Sequence, residues 1–269
     1  GILCQRTNFP WELIIHDDAS TDNTPEIILD YAASYPNIIK IIQQSKNQYS
    51  LNTPPTVFTF PQAKGKYIAL CEGDDYWTDP QKLQKQADLL ESNPEIAVCG
   101  HDAITIEDGK IIKQSKLQPH QKNRASPEQL SKGVFILTLT AMFRKNFDID
   151  PPEHRKVLNR DTFLFSRLGQ IGGYEYISDI QPAAYRLHSG GVWSSRDDQT
   201  KTEKHIQTYF WMSQYYKRIN KNYLSVYFAQ KSSLKVFELA PKISLLHIFS
   251  FNWLLIKQLL RTGKPSVFF

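Results

Sequence analysis

Short apolar runs alternate with longer, helix-like stretches along the first 190 or so residues. Residues 11–16 form an apolar run, and a second run covers 38–42. Between them lies a stretch with helical periodicity that opens with Thr24 as N-cap and Pro25 in the first turn. A strand, a helix and a strand in this order predict a βαβ unit with parallel strands and a right-handed crossover.

The same patterns predict the rest of the fold. Further elements are a strand at 66–71, a helix from about 80 to 92, a strand at 96–99, a hairpin turning at Asp108-Gly109, a strand or strand-turn element at 135–144, a helix at 159–168 and a strand at 177–185. From 199 onward the pattern is helical and rich in aromatic residues. We therefore expect an α/β domain at 1–198, with a mixed, mostly parallel sheet flanked by helices, and a helical extension at 199–269.

Composition narrows the class of protein. The chain has 269 residues, 41% of them hydrophobic, which suffices for one large domain or a domain with an appendage. A formal charge of +5 and a pI of about 8.9 are too weakly basic to indicate nucleic-acid binding. The three cysteines, Cys4, Cys71 and Cys99, are widely spaced, which is typical of reduced thiols in an intracellular protein rather than of disulfides or a zinc site.

Two acidic clusters each follow a predicted buried strand, one within 17–22 and one within 72–75. Like charges at the end of a buried strand are costly unless a cation or a donor-rich ligand meets them. In open α/β sheets, ligands bind beyond the carboxyl ends of the strands, and oxygen ligands suit Mg²⁺ or Mn²⁺. A solvated acidic turn is the alternative, but the buried strand and the aromatic pair Tyr76-Trp77 favour a metal site.

Both clusters lie in segments that resemble family 2 glycosyltransferases. Residues 17–22 (DDASTD) are similar to the DDxSxD segment of that family, and residues 63–75 (AKGKYIALCEGDD) to its AxGxYIxxxDxDD segment. The similarity covers roughly residues 1–195. The resemblance implies the GT-A fold, which is Rossmann-like, a nucleoside-diphosphate sugar donor and a divalent metal ion.

The resemblance also implies roles for individual residues. The donor-binding residues would be Asp17, Asp18, Ser20, Asp22, Asp74 and Arg186. The metal ligands would be Glu72, Asp74, Asp75 and His188, with Mn²⁺ or Mg²⁺ as the ion. Glu72 occupies the first position of the DxD-like triplet, where the family usually has Asp, so its direct coordination is less secure than that of Asp74 or Asp75. His188 follows Arg186 in a YRxH-like segment and is otherwise explained as a structural histidine.

Asp161 matches the position at which inverting members of the family carry the general base that deprotonates the acceptor. A carboxylate at the start of a helix is favoured in its ionised form, as a base near neutral pH must be. The alternative role for Asp161 is a simple helix cap. Thr140 and Arg144 fall where the family has a strand lining the acceptor side.

The two ends of the chain depart from the resemblance. The chain begins near the end of the first helix of the family, so we expect the first strand and part of the nucleotide pocket to be missing from it. Residues 240–260 are apolar but interrupted by His247, Asn252 and Lys257. This pattern predicts an amphipathic helix that lies on a membrane surface or packs against this domain or a homodimer mate.

These features predict a metal-dependent inverting glycosyltransferase with a UDP-sugar donor and a saccharide or lipid-linked acceptor in cell-surface polysaccharide synthesis. The expected location is the cytoplasm or the inner face of the cell membrane, and no nucleic acid is expected as a partner. Two alternatives stay open: a nucleotidyltransferase of similar sheet architecture, and a non-catalytic carbohydrate-binding scaffold.

Overall fold

The computed structural model describes residues 1–148, 150–188 and 197–239. Its first unit is β1 (Leu13–Asp17), α1 (Thr24–Ser34) and β2 (Ile39–Gln43). The two strands pair in parallel, with Asp17 opposite Gln43, which confirms the predicted βαβ unit. Asn23 occupies the N-cap position, so the prediction of Thr24 as N-cap is wrong by one residue.

Helix α1 is only partly covered. Its sequence provides an apolar stripe, yet none of its residues is buried, and Ile27 and Tyr31 are 55% and 51% exposed. Helical periodicity identifies such a stripe but does not show what covers it. Among the described elements, α1 packs mainly on β1 and β2.

A four-stranded sheet forms the centre of the molecule. A short helix, α2 (Thr56–Thr59), precedes β3 (Tyr67–Ala69), and α3 (Lys82–Ser92) leads into β4 (Ile96–Gly100), whose residues are all buried. The remaining elements of this part of the chain are β5 (Ala103–Glu107), β6 (Lys110–Lys113), α4 (Pro127–Lys132), β7 (Met142–Arg144), α5 (Arg160–Leu168), β8 (Gly173–Tyr176) and β9 (Ala183–Leu187). The order in the central sheet is β3-β7-β4-β8.

The third sheet has the strand order β6-β5-β9, and Arg186, one of the predicted site residues, lies on β9. Strands β5 and β6 form the predicted hairpin, and positive φ angles at Asp108 (48°) and Gly109 (74°) suit its tight turn. Strands β5 and β9 pair in parallel, as β1 does with β2 and β4 with β8. Parallel and antiparallel pairs flanked by helices confirm the mixed α/β class.

Two predicted elements differ from the structure. The strand expected at 177–185 is β9, which begins only at Ala183, after Pro182, a residue that cannot donate to a ladder, and β8 (Gly173–Tyr176) is a further strand that the pattern did not predict. The segment expected at 135–144 is a 3₁₀ turn at Thr138–Thr140 followed by β7.

Thr140 is fully buried and donates to Leu137 O, so it does not face a cleft. Arg144 likewise serves the fold, because its guanidinium donates to the carbonyls of Ile96, Leu90 and Asn93.

Two long helices follow: α6 (Asp198–Arg218) packs on α5, and α7 (Asn222–Leu239) packs on α6 and α4. The ring of Phe163 on α5 lies 5.1 Å from that of Tyr215, and Tyr216 stacks on Phe228 at 5.5 Å. The part of the extension at 199–239 therefore shares a core with the α/β domain. Among the described residues, no helix combines the length and apolarity needed to cross a bilayer. The segment at 240–260 lies outside the described residues.

Phe143 is the clearest test of the central core. It lies on β7 between β3 and β4, is fully buried and contacts the rings of Phe60 (5.8 Å) and Phe147 (5.9 Å). We expect Phe143→Ala to lower the free energy of unfolding by about 3–5 kcal/mol, because it leaves a cavity. Phe135→Ala, at a side chain that is 52% exposed, should change it by about 0.5 kcal/mol or less. Equal urea midpoints for the two variants would contradict this.

Candidate active site

The first acidic cluster begins at the end of β1. Asp17 is 4% exposed, and its Oδ1 accepts hydrogen bonds from the hydroxyl and the backbone N–H of Ser20. This local turn requires a left-handed conformation at Ala19 (φ 61°). The other oxygen of Asp17, Oδ2, is buried and has no hydrogen-bond partner among the described residues. A buried carboxylate oxygen without a partner is costly, so an N–H or O–H group of a ligand would stabilise it.

The neighbouring acids of this cluster are already engaged. Both oxygens of Asp18 accept hydrogen bonds from backbone N–H groups, those of Gln48 (2.6 Å) and Tyr49 (2.9 Å). Asp22 accepts a hydrogen bond from the N–H of Thr24 (3.0 Å), which together with the Thr24 hydroxyl lowers its pKa. Asp22 therefore supports the start of α1, and Ser20 supports Asp17.

The second cluster lies in a loop that follows β3 and is fixed to β9. Tyr76 and Ala184 exchange two backbone hydrogen bonds, of 3.2 and 2.8 Å. The backbone N–H of Arg186 donates to Asp75 Oδ1 at 2.8 Å, and its side-chain Nε–H donates to the carbonyl of Asp74. These hydrogen bonds hold Asp74 and Asp75 against the backbone of β9. The Arg186 side chain remains exposed.

The side chains of His188 and Asp74 form a hydrogen bond whose spacing would also suit two ligands of one metal ion. The Nε2 atom of His188 lies 3.0 Å from Asp74 Oδ2. Adjacent ligands of an octahedral ion with bonds of about 2.1 Å are about 3 Å apart, and imidazole and carboxylate together suit Mn²⁺. The structure brings together no group of three or more His, Cys, Asp or Glu side chains able to hold an ion, in the part of the chain it describes. Glu72 and Asp75 thus do not complete the predicted four-residue set.

Two protein ligands still fit a divalent ion at a phosphate site. Mg²⁺ in such sites is commonly held by one or two carboxylates, with waters and substrate phosphates completing its shell. Asp75 has a different partner, since one of its oxygens accepts the N–H of Arg186. Asp74 and His188 are therefore the residues that fit the ion.

Glu72 shows that the acids converge. Its side chain reaches solvent, yet the surrounding protein atoms displace enough water to raise its pKa from 4.5 to about 7. The charges of Asp75, Asp74 and Asp161 raise it further, so Asp161 lies close to the loop after β3. Burial and the charge of Asp74 also raise the pKa of Asp75. Such uncompensated negative charge attracts a cation.

The raised pKa of Glu72 predicts a pH-dependent loss of stability. The folded state binds a proton at Glu72 more tightly than the unfolded state does. Protonation of Glu72 therefore stabilises the folded state fully below about pH 4.5, and this stabilisation is lost as the pH rises through about 7. Glu72→Gln removes this pH dependence. We therefore expect the Tm of the variant to rise relative to that of the wild type as the pH increases between these values. Parallel Tm curves for the two proteins would contradict this expectation. Glu91→Gln, on an exposed side chain whose pKa is lowered by Lys66, is the control.

Asp161 is the second residue of α5. Its Oδ1 accepts the backbone N–H of Thr162 at 2.7 Å, while Asn159 occupies the N-cap position. Asp161 is exposed, so its carboxylate can be reached from solvent. The preceding residue, Arg160, is tied to Asn52 in the loop after β2.

Sequence reasoning missed one basic residue of the site. The ammonium of Lys116 lies 3.5 Å from the centre of the Tyr185 ring. Burial and the charge of Lys113 lower the pKa of Lys116, whereas nearby Asp75 raises it. Residues 110–124 are visibly basic in the sequence. Lys116 is near the acidic loop, however, only because the chain pairs β5 and β6 beside β9.

The family is identified by comparison with known proteins. Residues 2–149, more than half of the chain, match the family model described as "Glycosyl transferase family 2". The chain belongs to this family.

Three relatives illustrate the match. The chain is 40% identical over 200 residues to "Uncharacterized protein Rv1520" of Mycobacterium tuberculosis, covering 72% of this chain and 55% of that protein. It is 40% identical over 184 residues to "Putative glycosyltransferase EpsE" of Bacillus subtilis, covering 66% and 62%. It is 28% identical over 194 residues to "Putative teichuronic acid biosynthesis glycosyltransferase TuaG" of the same species, covering 69% and 71%. The chain thus spans little more than half of its mycobacterial relative.

The fold is shared with a solved structure. The crystal structure of residues 1–349 of TarS from S. aureus matches with a TM-score of 0.51 and 17% sequence identity, over 77% of this chain and 58% of that one. At this identity the likeness concerns the fold, and it confirms the predicted GT-A-like class.

Proposed function

We propose that the chain is an inverting glycosyltransferase that transfers a sugar from a nucleoside-diphosphate donor, with UDP as the expected nucleotide. The observation that carries the proposal is that Asp74, Asp75 and Asp161, residues from two distant parts of the chain, all act electrostatically on Glu72. Negative charge gathered in this way after a strand and beside Arg186 suits a divalent ion and a diphosphate.

The residues divide the binding of the donor between them. The free Oδ2 of Asp17 would accept a hydrogen bond from the nucleoside, and Arg186 and Lys116 would bind the diphosphate oxygens. Asp74 and His188 would hold Mn²⁺ or Mg²⁺. When bound, the ion would neutralise negative charge on the nucleoside diphosphate as it leaves.

Asp161 would act as the base. The acceptor hydroxyl attacks the anomeric carbon from the face opposite the diphosphate, so a new C–O bond forms as the bond to the phosphate oxygen breaks. The proton of the hydroxyl passes to the Asp161 carboxylate, and the electron pair of the broken bond leaves with the diphosphate. Attack from the opposite face inverts the anomeric configuration.

The acceptor and the biological setting are proposals as well. A saccharide or lipid-linked acceptor in cell-surface polysaccharide synthesis is supported by the name of the relative TuaG, which refers to teichuronic acid biosynthesis. Synthesis of this kind places the chain at the inner face of the cell membrane. Contact with the membrane, or with a second copy, through residues 240–260 is part of the same proposal.

Calorimetry with UDP, with and without Mn²⁺, followed by a donor screen tests the proposed function. We expect binding of UDP that is weakened when the ion is chelated, and release of UDP from one UDP-sugar in the presence of acceptor. Metal-dependent binding without turnover of any donor would indicate a scaffold. Release of pyrophosphate from a nucleoside triphosphate and a sugar phosphate would indicate a nucleotidyltransferase.

A further inference from the structure

Residues 47–53, here called the strap, are fastened at one end by Asp18. Its two carboxylate oxygens accept the N–H groups of Gln48 at 2.6 Å and Tyr49 at 2.9 Å. Hydrogen bonds to an ionised carboxylate are about twice as strong as neutral ones. The side chain of Asn47 donates to the backbone carbonyl of Asp18 at 3.2 Å and accepts the N–H of Ser50 at 2.7 Å. A ligand that used the Asp18 carboxylate would compete with these bonds.

The other end of the strap is fastened to the start of α5. The Nη2 atom of Arg160 donates to the backbone carbonyl of Asn52 at 3.1 Å and to its Oδ1 at 2.9 Å. The side-chain amide of Asn52 donates in turn to the carbonyl of Arg155 at 2.9 Å. Asn52 holds this position in a left-handed conformation (φ 58°), which Asn tolerates better than most residues. The guanidinium of Arg160 also lies 5.7 Å from the centre of the Tyr49 ring.

The strap therefore connects the acid next to Asp17 with the residue next to Asp161. We propose that Asp18, Asn52 and Arg160 are positioning residues, which set the distance between the donor-binding end of β1 and the general base on α5, and that Asp18 does not contact the donor. This inference rests on the proposed function. Its physical reason is that a misplacement of about 1 Å at a reacting group can cost about 100-fold in rate.

The first experiment compares Arg160→Gln with Arg155→Gln. Both remove a guanidinium within one short segment, but the Arg155 side chain faces Asp150 at 3.5 Å and does not contact the strap. The variants are assayed in the full-length chain with Mn²⁺ and a UDP-sugar. We expect Arg160→Gln to lower kcat by about tenfold or more and to change the Kd for UDP by about twofold or less. Arg155→Gln should leave both unchanged, and Arg160→Lys should recover part of kcat. Wild-type kcat in Arg160→Gln would overturn the proposal.

The second experiment separates fastening from donor binding at Asp18. In Asp18→Asn, an NH₂ group replaces one of the two acceptor oxygens, so one of the two strap N–H groups loses its acceptor. We expect faster amide hydrogen exchange at 48–53, a lower kcat and little change in the Kd for UDP. The double variant with Arg160→Gln should be no slower than the worse single variant, since both break the same link. A UDP Kd raised about tenfold or more, with exchange in the strap unchanged, would show that Asp18 binds the donor.

Hydrogen exchange also distinguishes failure of this inference from failure of the proposed function. If the wild-type chain transfers no sugar from any donor, the proposed function is wrong. Amide hydrogen exchange then tests by itself whether the strap is linked to α5. Faster exchange at 48–53 in Arg160→Gln but not in Arg155→Gln would then support the link between the strap and α5. Equal exchange in the two variants would overturn it.

Discussion

Replacement of Asp161 by asparagine is expected to lower the rate of sugar transfer by about 10²–10⁴-fold, the range typical for loss of a general base. The amide has nearly the same shape as the carboxylate but cannot take a proton from the acceptor hydroxyl. Binding of UDP with Mn²⁺ should change by about twofold or less, because the carboxylates nearest the predicted metal site are unaltered. Steady-state kinetics and calorimetry on the same preparation measure both quantities.

A matched control is available on another helix. Asp198 lies in the first turn of α6, as Asp161 does in that of α5, and its side chain is 92% exposed. Asp198→Asn should transfer sugar at the wild-type rate. Substantial turnover in Asp161→Asn would remove Asp161 from the role of base, whereas an equal loss in both variants would point to helix stability instead.

Replacement of Asp74 by asparagine should have its largest effect on metal binding. Asp74 Oδ2 forms the pair with His188, and its loss should reduce Mn²⁺ affinity by at least about 100-fold, the upper end of what changes around a metal ligand produce. His188→Ala should act in the same direction. Both variants should bind UDP with the weaker affinity that the wild type shows in chelator. Titration calorimetry with Mn²⁺ and UDP provides the measurement.

Two exposed residues serve as controls for the metal experiment. Asp88 on α3 accepts a hydrogen bond from Gln84 at 2.8 Å, and His120 lies in a 3₁₀ turn at Pro119–Gln121. Asp88→Asn and His120→Ala should bind Mn²⁺ and UDP as the wild type does. If Asp74→Asn and His188→Ala do so too, the ion is not held by this pair.

Local features of the fold could be predicted because local chemistry determines them. The βαβ unit follows from residue periodicity, and the hairpin from the tight turn at Asp108-Gly109, which needs no distant partner. The exposure of α1, the separate strand β8 and the late start of β9 could not be predicted. The first depends on which surface covers a helix, and the other two depend on the pairing of β8 with β4 and of β9 with β5.

The roles of neighbouring acids were the least predictable part of the site. Asp17 and Asp18 are identical and adjacent in the sequence, yet Asp17 has a buried oxygen with no partner in the part of the chain that the structure describes, whereas both oxygens of Asp18 bind the strap. The difference arises from the path of residues 47–53, which no local pattern specifies. Lys116 was missed for a related reason, since its place on the Tyr185 ring depends on parallel pairing of β5 with β9.

The aromatic packing behind α5 has a consequence for how this protein can diversify. The family match ends at residue 149, so the helix that bears Asp161 and the helices that support it, α6 and α7, all lie beyond the matched stretch. Under the proposed function, substitutions among Phe163, Tyr215 and their neighbours would shift α5, and Asp161 with it, without changing any residue of the two acidic clusters. Repacking of this distant layer of rings would then be a route to new acceptors.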